Sequence, residues 1–211
     1  MNLHAPARRP GDPGMIRVST DDGVELPRHR FTVSDCFRMV ETGVLPTDYR
    51  FELIDGEIVP MSPKSAAHME VQRALLSSWG RTRPDAVAIM AEPTLPLGSG
   101  NFLEPDIFVG PSDTAVRDIR PADALLVVEI AVTSLATDLG QKAALYAAEG
   151  VSEYWVIDAT SLETHVHRDA IDGHYGSIVT HGAAETLTPL AVPVLALSLF
   201  ELGLVPAEEE K

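Results

Sequence analysis

Three polar residues of this chain stand where charge is expensive to bury: Asp106, Glu129 and Lys142. Asp106 follows Pro105 and opens the strand signal DIFVG. Glu129 lies near the end of LLVVEIAV, a near-continuous apolar run of the kind expected of a strand buried on both faces. A carboxylate inside such a run needs a partner, because an unpaired buried charge is costly. Lys142 follows in the first turn or so of the next helix signal. A strand ending near Val132 and a helix starting near Asp138 bring Glu129 and Lys142 to one end of the sheet, where open α/β sheets tend to bind ligands. Two carboxylates on neighbouring strands can hold a hard divalent cation, Mg²⁺ or Mn²⁺, through oxygen ligands. A water on such an ion becomes a nucleophile, and the ion stabilises charge building on a phosphate. The lysine ammonium, a compact point charge, can orient that water or offset the phosphate.

Each of these residues also has a plainer explanation. Asp106 after a proline can simply open a strand or turn. Asp138 and Lys142 are spaced i, i+4, which makes Lys142 a candidate for an ordinary surface ion pair worth about 0.3–0.5 kcal/mol. Glu129 is the hardest of the three to explain without a site.

The elements that must position these residues are legible along the chain. In FTVSDCFRMVETG, Thr32 or Ser34 can cap a helix, Phe37 and Val40 share a face, and Gly43 can end it. YRFELIDGEIVPM carries two strand-like runs around Asp55-Gly56, a strong hairpin signal. A helix is expected from about Ser65 to Trp79, with Val71, Leu75 and Trp79 on one stripe and Gly80 as its stop. AVAIMAEPTLPL, DIFVG and ALLVVEIAV read as strands, TDLGQKAALYAAEG as a short helix capped by Thr137 with Gly150 past its end, and EYWVID, LETHVHR and YGSIVT as further strands. Helices interleaved with a mixed set of strands give an α/β fold, an α+β sandwich.

Composition bounds the answer. The 211 residues suffice for one domain with a full core. No apolar run approaches the roughly 18–20 residues of a membrane helix, and MNLHAPARRPGDPG lacks the apolar centre of a signal peptide, so the cytoplasm is the expected compartment. The single cysteine, Cys36, excludes an internal disulfide and a Cys-rich zinc site, and a buried inert thiol is expected there. The net charge of −15 argues against a broad basic surface for nucleic acid, although a metal site needs carboxylates of its own, which divalent ions offset locally. Residues 1–30 read as an N-terminal tail, flexible over at least the first 14, residues 31–205 as the folded domain, and 206–211 as an acidic tail.

Taken together, YRFELIDGEIVPMSP, EPDIFVG and LLVVEIAVTSLATDLGQKAALYAAEGVSEYWVID resemble the Uma-type putative restriction endonucleases, a bacterial family assigned to the PD-(D/E)XK nuclease superfamily. The resemblance runs over roughly residues 31–200, with FTVSDCFRMVETG similar to that family's opening helix. It implies a restriction-endonuclease-like central mixed β-sheet flanked by helices. It also implies a metal-dependent endonuclease that hydrolyses DNA phosphodiester bonds with Mg²⁺ or Mn²⁺, and it admits a homodimer. Pro105-Asp106 matches the PD half of the motif and Glu129 its second acid. The superfamily's usual lysine position, two residues on, is Ala131 here, and the lysine carried on the following helix is Lys142. Glu52, in FELIDG, matches the family's early glutamate, as a third metal carboxylate or a group behind it; spacing alone makes it an exposed strand residue. Three carboxylates near one point repel, so at least one of Glu52, Asp106 and Glu129 is expected to have a raised pKa in the metal-free protein.

Other residues carry weaker signals. His68 reads as a helix-surface histidine, with contact to a phosphate or metal-bound water as the alternative. Tyr146 shares a helix face with Lys142 and either buttresses it or packs in the core. His165 and His167 alternate on one strand face, a spacing compatible with zinc, but no third ligand is evident nearby and surface positions are expected. Trp155 is expected in the core, Tyr154 in packing, and Gly98-Ser99-Gly100 in a plain turn. Two other functions compete: a non-catalytic DNA-binding or protein-interaction module of the same fold, and a metal-dependent hydrolase of another substrate.

Overall fold

The computed structural model describes residues 16–19 and 25–206. In chain order the elements are β1 (Ile16–Ser19), β2 (Glu25–Arg28), α1 (Val33–Glu41), β3 (Phe51–Ile54), β4 (Glu57–Pro60), α2 (Ala66–Thr82), β5 (Val87–Ala91), β6 (Leu95–Pro96), β7 (Phe102–Leu103), β8 (Ile107–Pro111), β9 (Leu126–Ala131), α3 (Leu135–Thr137), α4 (Ala143–Ala148), β10 (Glu153–Asp158), β11 (Thr164–Ile171) and β12 (His174–His181). The expected flexible first 14 residues lie outside the described residues, as does most of the expected acidic tail. Within the stretch read as a tail, β1 and β2 pair antiparallel. The described chain forms two compact units, one of residues up to Met61 with Gly98–Leu103, the other of Ser62–Leu97 with Glu104 onward.

In the first unit α1 begins where the sequence indicates. Thr32 Oγ1 accepts from the Asp35 amide at 3.1 Å, and the Asp35 carboxylate accepts from the Thr32 amide at 3.0 Å. This reciprocal capping box satisfies two otherwise orphaned donors. The hairpin β3–β4 turns on Asp55-Gly56, both at positive φ (51° and 74°), as a two-residue turn of this type requires. β3 also pairs with β7, Leu53 facing Phe102. Cys36, Phe51, Leu53 and Phe102 form the core, so the lone thiol is buried as expected. Ser99 and Gly100 act through their carbonyls, which accept from Val33 and Gly56, in keeping with a plain turn.

The second unit is a six-stranded mixed sheet in the order β12-β11-β10-β9-β8-β5. Only β9 and β10 run parallel, and a parallel pair needs a crossover connection. That crossover is the helical segment 135–148, which carries Lys142. Val71, Leu75 and Trp79 of α2 pack with Val128, Ile130, Trp155 and Ile157 in the main core. Trp79 Nε1 also donates to the Leu195 carbonyl at 2.8 Å.

Two helix boundaries differ from the sequence reading. α2 runs through Gly80 to Thr82 and ends at extended Arg83 (φ −61°, ψ 139°), because the residue before Pro84 is disfavoured in the α region. The crossover helix starts at Leu135, so Thr137 is inside it and makes no capping bond. Ser134 precedes it and gives its hydroxyl to Asp138 Oδ2 at 2.6 Å. Asp138–Lys142 then winds as wider, π-helical turns before α4 resumes regular geometry. Gly150, at φ 83°, closes the segment as expected.

Candidate active site

The antiparallel register of β8 and β9 pairs Ile107 with Val128, so one step further along Asp106 stands across from Glu129. On the other side β5 pairs Ala91 with Ile107, which brings Glu92 across from Asp106. The Glu92 amide donates to the Asp106 carbonyl at 3.4 Å. Three acids from three adjacent strands thus form one row at one end of the sheet.

Asp106 is buried and held from two directions. Its Oδ2 accepts from the Ile130 amide at 2.7 Å. Its Oδ1 accepts from Lys64 Nζ at 2.6 Å and from His68 Nε2 at 2.8 Å. Burial pushes this carboxyl up, but the His68 donor and the Lys64 ammonium outweigh burial and hold it below its ordinary value. The expectation of a carboxyl raised by mutual repulsion therefore fails at Asp106. A raised carboxyl occurs at Asp138, outside the three acids of that expectation, where burial dominates and the charge of Asp106 adds to it, against Lys142 and Ser134.

The depressed Asp106 value has a stability consequence. Its contribution is complete above the unfolded-state value near ~3.9 and is lost as pH falls through the lower native value. Asp106→Asn should therefore destabilise the protein at pH 7, and the gap to wild type in urea unfolding should narrow steadily below about pH 4. A gap that widens on acidification would contradict this assignment.

Glu129 is buried on the face of β9 turned toward α4. Its Oε1 accepts from Lys142 Nζ at 3.3 Å and from the Tyr146 hydroxyl at 3.0 Å. Lys142 also lies 3.5 Å from Asp138 Oδ1, so one buried ammonium serves two buried acids. The spacing 138/142 is thus not a surface pair: both side chains are enclosed. Tyr154, fully buried, gives its hydroxyl to the Asp138 carbonyl at 3.0 Å, which fixes the π-helical turn against β10. Burial pushes its phenol well above the ordinary value, with the Glu129 charge adding to the effect.

Glu52 is buried on β3 in the first unit, not exposed as spacing alone suggests. Among the described residues no group of three or more His, Cys, Asp and Glu side chains is set to hold one metal ion. Nor is any described helix long and apolar enough to cross a membrane.

The scan of protein families matches residues 33–199 to Uma2, described as "Putative restriction endonuclease". The chain belongs to this family. A solved structure described as "a putative nuclease belonging to DUF820" from Anabaena variabilis ATCC 29413 has the same fold. Its TM-score is 0.62 at 18% identity, over 82% of this chain and 97% of that one. No curated protein matches. The mixed α+β architecture expected of a Uma2 chain is the one observed.

Several residues of this Uma2 chain stand elsewhere than the sequence suggests. His68 is buried against Asp106 rather than on the helix surface, because α2 lies over the sheet end where β8 begins. His167 is buried too, between Tyr154 and Tyr175 at ring distances of 5.3 and 5.5 Å, and burial lowers its pKa. Its Nδ1 faces the His165 carbonyl, while His165 pairs with Thr180. The two histidines therefore have partners of their own and do not form a zinc pair. Trp155 is in the core as expected. Lys64, Gln72 and Glu92 surround the acids and were missed, and Asp138, expected only as a surface partner of Lys142, is buried beside them. A usable signal existed for Lys64: the chain has only three lysines, Lys64, Lys142 and Lys211, and two of them are held against the acids.

Proposed function

We propose that this protein is a metal-dependent endonuclease that hydrolyses DNA phosphodiester bonds, with Asp106 and Glu129 as the metal-binding acids and Lys142 beside them. The observation that carries this reading is the pairing of two buried carboxylates across β8 and β9, with the Lys142 ammonium on Glu129. An all-oxygen pair suits Mg²⁺ or Mn²⁺, which are often bound by one or two carboxylates, with waters and substrate phosphate oxygens completing the shell. The donor set thus fits a two-carboxylate site. When bound, the ion supplies an activated water and stabilises charge on the phosphate.

The remaining work falls to the chain. Asp106 is fixed by the Ile130 amide, which aims its carboxylate along the end of the sheet. Tyr146 orients Glu129, and Lys142, held between Glu129 and Asp138, would set its ammonium toward a phosphate oxygen. The buried setting strengthens each of these interactions and excludes bulk water. Glu52 is a further candidate through the family resemblance, and Glu52→Gln in the same assays decides its part.

A second reading, a non-catalytic member of the fold, is favoured by one observation: each Asp106 oxygen already has a protein donor. The two readings separate in a calorimetric titration with Mn²⁺. The nuclease reading expects binding by wild type that is weakened about a hundredfold in Asp106→Asn, together with nicking of supercoiled plasmid. A folded wild type that neither binds Mn²⁺ nor nicks DNA is the non-catalytic protein.

A further inference from the structure

Lys64, like Lys142, is a strong cation seated on an acid that the proposed function gives to a metal, and its contact is the shorter of the two. Its Nζ is 2.6 Å from Asp106 Oδ1 and 2.8 Å from Glu92 Oε1, and its side chain is 15% exposed. The ammonium therefore bridges two carboxylate oxygens from neighbouring strands, as a small cation would. Glu92 is held in place for this contact. Gln72 donates to its Oε1 at 3.3 Å and to the Asp106 carbonyl at 3.0 Å. The Glu92 backbone takes φ 52°, a conformation that costs energy for a residue other than glycine and is kept where surroundings over-determine it.

We propose that Lys64 is a built-in counter-ion that occupies the cation position at Asp106 in the metal-free protein, and that a divalent ion binds there by displacing it onto Glu92. This inference rests on the reading of Asp106 as a metal ligand. The physical reason is competition. A carboxylate buried as deeply as Asp106 is costly without a positive partner, so an empty site needs one from the chain. The same partner must leave before an ion can bind. Glu92 gives the displaced ammonium a second acid to stay with, so the exchange does not strand a buried charge. Lys64 is in this sense a positioning residue for the metal, and its removal should favour metal binding, whereas a merely structural lysine would weaken the site when lost.

The full-length chain tests this in two ways. In calorimetric titration with Mn²⁺, Lys64→Met should bind about tenfold more tightly than wild type, while Lys64→Arg, which keeps the positive charge, should not gain. Separately, amine acylation read by mass spectrometry follows Lys64 in the wild type, where only two other lysines compete. Its labelling rate should rise several-fold on saturation with Mn²⁺. This second measurement does not depend on any variant folding. Wild type that binds Mn²⁺ with no change in Lys64 labelling, or Lys64→Met that folds and binds no more tightly, overturns the inference and leaves the metal-site reading intact. Failure of both wild type and Lys64→Met to bind Mn²⁺ overturns both. Binding by Lys64→Met alone supports Lys64 as the block at Asp106 and overturns the metal-dependent reading of the wild-type protein.

Discussion

Glu129→Gln is expected to lower Mg²⁺-dependent plasmid nicking by about a thousandfold or more while leaving the chain folded. The amide keeps nearly the same shape, and its oxygen can still accept from Tyr146, which donates to Glu129 Oε1 at 3.0 Å. What disappears is a negative charge that would face the metal. Lys142 retains Asp138, 3.5 Å away, so its ammonium is not left unpaired. Lys142→Met is a less informative variant, because it leaves Glu129 and Asp138 buried together without their shared cation and should cost about 3–5 kcal/mol of stability. Nicking by Glu129→Gln at the wild-type rate, with its thermal unfolding unchanged, would remove Glu129 from the reaction.

A stability effect of the same size is expected away from the site, at Glu153. This residue is 1% exposed and gathers donors from its own strand, from β11 and from the segment after β12. Its Oε1 accepts from Arg168 Nη2 at 2.7 Å and from Trp155 Nε1 at 3.0 Å, and its Oε2 accepts from the Leu190 amide at 2.7 Å. Arg168 in turn donates to the Thr188 carbonyl at 2.7 Å. The pair thus fastens the segment after β12 to β10 and β11. Glu153→Ala removes the acceptor for four N–H donors on three residues and takes the carboxylate from the Arg168 guanidinium, so a loss of about 3–5 kcal/mol is expected, a fall in Tm of about 10 °C. Glu153→Gln, which keeps two polar atoms, should lose less. Equal Tm values for Glu153→Ala and wild type would show that the cluster contributes nothing net.

How far the sequence revealed these features depended on the range of the interactions involved. The hairpin at Asp55-Gly56, the capping box at Thr32 and the doubly buried β9 were legible because each depends on residues a few positions apart. Asp106, Glu129 and Lys142 stood out because their types clash with apolar surroundings. Lys64 and Glu92 did not, because their meaning comes from partners 42 and 14 residues away in the chain, reached through the β5–β8 register and the start of α2. The buried His68 escaped for the same reason: it continues the Val71–Leu75–Trp79 stripe by one turn, but its Asp106 partner lies 38 residues away at the end of the sheet that encloses it. Gly80 misled as a helix stop, since a proline four residues on sets the real end.

The π-helical turn at Asp138–Lys142 makes the winding of the segment, rather than residue type alone, the variable that aims the ammonium at Glu129. Wider turns of this kind hold one residue more than an α-helix needs over the same rise. If the same residues wound as regular α-helix with none removed, everything beyond them would turn by about 100° relative to Ser134. Substitution is a gentler change: a Cβ added at Gly140 meets nothing within 4 Å. The crossover can thus vary in composition at this glycine as long as the wide turn is kept, and its rewinding as α-helix with no residue removed would uncouple the lysine from both of its acids while every side chain of the site was still present.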